Sequence, residues 1–78
     1  SILVYPTASN GQFTITPKLN IGKSTLRIFD MRGRQVYKET HNFRQGTASK
    51  INTSLKVGVY VLKLKGDNFN FTQKIIIK

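Results

Sequence analysis

A chain of 78 residues with no cysteine makes one domain around a thin core, without disulfide staples or cysteine-ligated metal. Thirteen Lys and Arg against three acids give a formal charge of +10, which favours polyanionic partners: nucleic acid, phospholipid or lipopolysaccharide surfaces, or acidic proteins. No apolar run approaches the roughly twenty residues of a membrane-spanning helix, and Ser1 to Tyr5 lacks the charged start and apolar stretch of a signal peptide.

That start reads instead as a cut inside a longer polypeptide. From it the chain alternates apolar and polar residues repeatedly, with turn residues between the runs and no sustained 3.6-residue period. Ile2 to Tyr5 is a first strand, stopped by Pro6, and Thr7 to Gly11 is a loop. Gln12 to Thr16 points Phe13 and Ile15 inward; Pro17 to Lys23 is a loop. Thr25 to Asp30 buries Leu26 and Ile28. Arg34 to Thr40 is a fourth strand with Val36 its buried member. Thr47 to Asn52 carries Ile51 inward, and Leu55 plugs the core from the loop that follows. A terminal hairpin then runs from Gly58 to Lys78 around Gly66-Asp67-Asn68. Tyr60, Leu62 and Leu64 share one face of its first strand. Phe69, Phe71, Ile75 and Ile77 share one face of its second, where Gln73 breaks the pattern.

These features give an all-β fold, a sandwich or small barrel of about seven short strands. Most domains leave a few loose residues at the C-terminus; here the terminus is spent as a paired strand. Lys74 and Lys78 bracket Ile75-Ile76-Ile77 as gatekeeping charges. The thirteen basic residues never stand side by side. Scattered lysine on wet strand faces protects against edge pairing, so solubility with weak anion attraction ranks ahead of a dedicated nucleic-acid site.

The best-defined local motif is Asp30-Met31-Arg32-Gly33-Arg34. Asp suits the first position of a type I turn, glycine the fourth, and the pair makes a hairpin connection with a G1 bulge. Arg34 is within reach of Asp30. Gly58 marks a turn or a close approach, and Tyr60 points its ring into the core and its hydroxyl at a polar partner, as the tyrosine of a sandwich corner does. Little supports catalysis. His41 reads as an exposed loop histidine, and a Ser-His-Asp set can be assembled only by arbitrary choice. Three acids leave little for paired-carboxylate chemistry, and Asp67-Asn68 is a turn with too few oxygens for calcium. No catalytic, metal or cofactor-binding residue is assigned. An exposed Phe29 and Tyr37 would form a stacking platform, although a two-sheet core would claim at least one.

Several signals then occur in a fixed order. Tyr5-Pro6 precedes Asn10-Gly11 and Phe13-Thr14-Ile15. Leu26-Arg27-Ile28-Phe29-Asp30 leads into Gly33-Arg34-Gln35-Val36. Ile51-Asn52-Thr53-Ser54-Leu55 follows, then Gly58-Val59-Tyr60-Val61-Leu62-Lys63 and Lys74-Ile75-Ile76-Ile77-Lys78. Over essentially its whole length the chain resembles the type A C-terminal sorting domain of proteins exported by the type IX secretion system. It departs at Thr7-Ala8, where a second proline is common.

The resemblance implies an immunoglobulin-like antiparallel β-sandwich, a single domain over residues 1–78, at the end of a larger secreted protein of a Gram-negative bacterium. It implies transit through the periplasm and delivery to the cell surface or medium. The implied partners are the outer-membrane translocon and its shuttle components, a sortase-like cysteine protease that removes the domain, and an anionic lipopolysaccharide to which cargo is joined. On that basis the chain is an enzyme's substrate, not an enzyme, and no specific nucleic acid is expected. The recognition candidates carried over are Pro6, Gly11, Asp30, Gly33, Arg34, Gly58, Tyr60 and the closing run Lys74, Ile75, Ile76, Ile77 and Lys78. The rival readings are a fibronectin-like or carbohydrate-binding sandwich, short of tryptophan and acids for that role, and a basic module for single-stranded nucleic acid.

Overall fold

Period-two alternation, broken by Pro, Gly and Asn, produces strands along almost the whole chain. The computed structural model describes residues 2–78. Its strands are β1 (Ile2–Tyr5), β2 (Ala8–Ser9), β3 (Gln12–Pro17), β4 (Gly22–Phe29), β5 (Gln35–Phe43), β6 (Ser49–Asn52), β7 (Gly58–Lys65) and β8 (Asn70–Ile77). They form two layers, a three-stranded sheet in the order β1-β3-β6 and a five-stranded sheet in the order β2-β8-β7-β4-β5. The fold is an immunoglobulin-like β-sandwich, as expected.

Between the layers lie the alternate side chains of each long strand. Val4, Phe13, Ile15 and Ile51 come from one sheet; Leu26, Ile28, Leu62, Leu64, Ile75 and Ile77 come from the other. Each such burial is worth about 1.5–3 kcal/mol against an exposed position. Phe43 and Tyr60 close the two ends of this layer, and Leu55, Phe69 and Phe71 pack against its margin. Leu55 therefore plugs the core from a loop, as its position suggested.

Three expectations need correction. Val36 was expected inside, but it is exposed, and the side chain that β5 buries is Phe43. The register explains this. Ile28 pairs with Tyr37 but Phe29 pairs with Gln35, so Val36 has no opposite partner and the strand bulges there. A bulge reverses the inward and outward positions beyond it, which turns Tyr37, Glu39 and His41 toward the sandwich. His41 consequently belongs to a strand, not to an exposed loop.

The second concerns Thr7 to Gly11, expected to be a loop. Within it Ala8 and Ser9 form an eighth strand, and that strand runs parallel to the end of β8, with Ala8 opposite Ile76 and Ser9 opposite Ile77. The sandwich is therefore not wholly antiparallel. Third, a strand expected to finish at Thr16 runs to Pro17, and the strand expected over Thr25 to Asp30 begins three residues earlier, at Gly22, and ends at Phe29. Pro17 is tolerated because β6 pairs only with Gln12 to Ile15, so one side of β3 is an open edge at Pro17.

Candidate functional site

The recognition candidates come from five separate stretches of chain, and register decides where each one falls. Phe29 lies opposite Val61, and Val61 lies opposite Lys74. Past Phe29, the Asp30–Arg34 turn therefore projects beyond the same end of the sheet as Gly58 and Ile77, which pair with each other. Ser9 pairs with Ile77 there too, and Gly11 follows it. Pro6 directly follows Tyr5, the β1 residue opposite Thr14. The structure thus gathers Pro6, Gly11, the turn, Gly58, Tyr60 and Ile75 to Lys78 at one end. Lys74 stands about 13 Å back along β8 from Lys78, at the usual strand rise. Ile2, opposite Pro17, is at the other end.

Local chemistry makes that end rigid. In the turn, Gly33 takes a φ of +85° and donates its N–H to the Asp30 carbonyl at 3.0 Å. The Asp30 carboxylate accepts the backbone N–H of Arg32 and of Arg34, each at 2.9 Å, and the Arg34 Nε at 3.0 Å. This is the turn and the ion pair read from the residue types. The Arg34 backbone bond first, and the Arg34 guanidinium and Arg32 N–H with it, holds the carboxyl below its ordinary value of 3.8 against a smaller opposing effect of desolvation. A lowered folded-state pKa supplies stability above that ordinary value and withdraws it as pH falls through the folded one. The melting temperature of the chain should exceed that of Asp30→Asn at neutral pH, and the gap should narrow as pH falls below 3.8. A gap of unchanged size at about pH 2 would show that the charge on Asp30 is not what orders the turn.

Tyr60 is the corner residue its position promised. Its ring is buried and its hydroxyl donates to the Lys56 carbonyl at 2.7 Å, four residues upstream. The connection from Thr53 to Val57 is thereby tied to β7. A Cβ on Gly58 would stand 3.5 Å from the Tyr60 ring, an ordinary contact, so neither conformation nor space forces glycine there. At Gly11 both do. Its φ is +110°, and a Cβ would lie 2.9 Å from the Thr53 carbonyl oxygen. Thr53 donates both its N–H and its hydroxyl to the Gly11 carbonyl, each at 2.9 Å.

The terminal strand is gripped on both sides. On one side β7 pairs with all of it, from Lys65 opposite Asn70 to Gly58 opposite Ile77. On the other, Ile76 donates to the Thr7 carbonyl and Lys78 to the Ser9 carbonyl, each at 2.7 Å. The outward backbone groups of Asn70 and Thr72 and the N–H of Lys74 remain open on that edge, because β2 is two residues long; the Lys74 carbonyl accepts the Gln73 side-chain amide at 3.0 Å. Ile75 and Ile77 point into the core, whereas Lys74, Ile76 and Lys78 are exposed. The closing run thus divides into anchoring and displayed residues.

Thr7, Ser9, Thr53 and Lys56 were missed by sequence reasoning although they hold this end together. A corner tyrosine is a usable signal for a carbonyl a few residues upstream such as that of Lys56. A two-residue parallel strand leaves no periodic trace. Beside Phe43, by contrast, the fold assembles polar groups the sequence left apart. Tyr37 donates to Glu39 Oε1 at 2.6 Å, Glu39 Oε2 lies 3.8 Å from His41 Nδ1, and His41 Nε2 is 3.1 Å from Ser49 Oγ. Burial, with the Glu39 carboxylate accepting its proton, pushes the Tyr37 phenol up to about 12. The set spans β5 and β6, whose sheets share no ladder at that margin. At 3.8 Å the carboxylate is beyond hydrogen-bonding distance of the imidazole and does not orient it as a catalytic base needs. The inward Tyr37 also leaves Phe29 without the second ring of a stacking platform.

No curated protein matches the chain. Residues 3–78 match the family described as "Secretion system C-terminal sorting domain". That match spans both sheets, the Asp30–Arg34 turn, the tyrosine corner and the terminal strand, the same order of signals that pointed to type IX export. The chain belongs to the secretion system C-terminal sorting domain family, and it is a sorting signal for type IX secretion.

Proposed function

We propose that the end of the sandwich carrying Lys78 is the surface the secretion machinery reads, with the outer-membrane translocon and its shuttle components as the partners. A sorting signal implies engagement with that machinery and export to the cell surface or medium. What supports the finer reading is one observation: candidates from five stretches converge on the end that bears the ordered terminus, while Ile2 lies at the opposite end. A cargo polypeptide preceding Ser1 would then leave from the far end and not obstruct recognition. The cargo crosses the periplasm, and a sortase-like cysteine protease afterwards separates the domain so that cargo is joined to an anionic lipopolysaccharide or released.

Added-strand pairing with β8 itself has to use the open stretch Asn70 to Lys74, or else displace Thr7 to Ser9 from the last residues. The displayed side chains are therefore the better test. A reporter fused ahead of the chain, carrying Lys74→Glu, Ile76→Asp and Lys78→Glu, keeps both buried isoleucines. It should melt like the parent yet accumulate in the periplasm. Lys18→Glu with Arg44→Glu, both exposed at the opposite end of the sandwich, should be delivered normally. Surface delivery of the folded triple variant at the parent level would refute the assignment.

A further inference from the structure

The outer face of the five-stranded sheet is chemically unlike the rest of the molecule. Opposite Arg27 on β4 stand Lys38 on β5 and Lys63 on β7, a row of three cations across adjacent strands about 4.8 Å apart. Lys23, Lys65 and Lys74 extend the array along the strands on both sides of that row. Of the chain's three acids, Glu39 points inward and Asp30 is engaged by Arg34; Asp67 sits on the turn after β7. The charge on this face is therefore almost unopposed.

Two of the recesses along the same strands differ sharply in character. One, of about 390 Å³, is walled by Lys23, Arg27 and Lys65 with the hydroxyls of Thr25 and Thr40, Asp67 being its one acid. The other, of about 450 Å³, is mainly apolar: Phe29, Met31 and Val61 line it beneath Lys63. Met31 is 68% exposed, and the Lys63 Nζ stands 5.7 Å over the Phe29 ring. Arg27 and Phe29 are two residues apart on one strand, so a cation-walled, hydroxyl-lined hollow and an apolar hollow are about 7 Å apart.

We infer that this face docks on a membrane surface bearing anionic phospholipids, with phosphate groups among Lys23, Arg27 and Lys65 and with Met31 and Phe29 meeting the acyl boundary. Three observations favour that occupant. The cations fill a two-dimensional array, which matches a surface of headgroups better than a single acidic strand that would meet one line of them. The apolar hollow adjoins the cationic one, as an amphiphile requires. Nucleic acid is served by successive stacking rings, and here Phe29 stands without Tyr37. Docking of this kind is tested through Arg27 and Lys63, which are not among the recognition candidates, whereas Lys74 and the Asp30–Gly33 turn border both surfaces.

Vesicle flotation tests the inference on the chain itself. Binding to vesicles of phosphatidylglycerol in phosphatidylcholine should be strong at low salt and weak at high salt, with none to pure phosphatidylcholine. A cation near an anionic surface is worth about fivefold in affinity, so Arg27→Glu with Lys63→Glu should weaken binding by at least tenfold. Lys18→Glu with Lys50→Glu, which has the same net charge but lies on and beside the other sheet, should weaken it far less. If the first pair fails to melt cooperatively, the exposed pair Lys38→Glu and Lys65→Glu replaces it. Met31→Ser should weaken the salt-resistant remainder of the binding. Equal losses in both charge-reversed pairs would reduce the effect to net charge and overturn the inference. So would equal binding to pure phosphatidylcholine, or tighter binding to polyglutamate or to a single-stranded oligonucleotide than to the vesicles.

Discussion

Removing Lys74 to Lys78 should abolish the cooperative unfolding transition, leaving a chain that shows no thermal midpoint by circular dichroism. Ile75 and Ile77 are 1% and 2% exposed, and truncating a buried isoleucine to alanine costs about 2–5 kcal/mol. The deletion takes both, together with the β7 ladder from Val61 to Gly58 and the two bonds from Ile76 and Lys78 to the Thr7 and Ser9 carbonyls. A domain has only about 5–15 kcal/mol in total, and a chain this short sits toward the lower end. Lys78→Ala removes an exposed side chain alone and should leave the melt almost unchanged. A truncated chain that melts near the parent temperature would mean that the terminal strand is not part of the core. The result bears directly on function. Failure of a truncated signal to export its cargo reports lost folding as well as any lost contact, and this is why the displayed residues of the strand, not its length, are the informative ones to change.

Gly11→Ala should destabilise the domain by about 2–4 kcal/mol, more than the same change at Gly46. Both glycines have a positive φ, +110° at Gly11 and +76° at Gly46, so both substitutions meet backbone strain of about 1–3 kcal/mol. Only Gly11 adds a collision, with the Thr53 carbonyl oxygen at 2.9 Å and its hydroxyl at 3.2 Å, whereas a Cβ on Gly46 meets nothing within 4 Å. Relieving that collision pulls Thr53 away from the Gly11 carbonyl and loosens the strand entry that carries Ser9, whose Oγ accepts the Gly11 N–H at 3.1 Å. Urea midpoints of the two variants measure the difference. Equal losses at Gly11 and Gly46 would show that strain alone is felt and that Thr53 can move freely.

Much of the candidate site was legible because its chemistry is local. Asp30, Gly33 and Arg34 announce their turn within five residues, and a carboxylate accepting backbone N–H groups needs no distant partner. Tyr60 finds its carbonyl four residues upstream. Other features rest on neighbours far along the chain. Gly11 could be noted as a turn glycine, but its need for glycine comes from Thr53, 42 residues later. His41, Glu39 and Ser49 became one polar set only because the Val36 bulge turned that stretch of β5 inward.

From residues alone followed an all-strand sandwich, its inward-facing β3, β4 and β7 side chains, the Asp30 hairpin and a terminus spent as structure. Alternation of apolar and polar side chains maps one-to-one onto the two faces of a strand, and turn preferences act over a few residues. The folded arrangement alone decided three further points: the inversion of β5, the parallel pairing of Ala8-Ser9 with Ile76-Ile77, and the outward edge left open at Asn70 to Lys74. Register between strands is set by loop closure and by the packing of two layers at once, and neither is written in any short window of sequence.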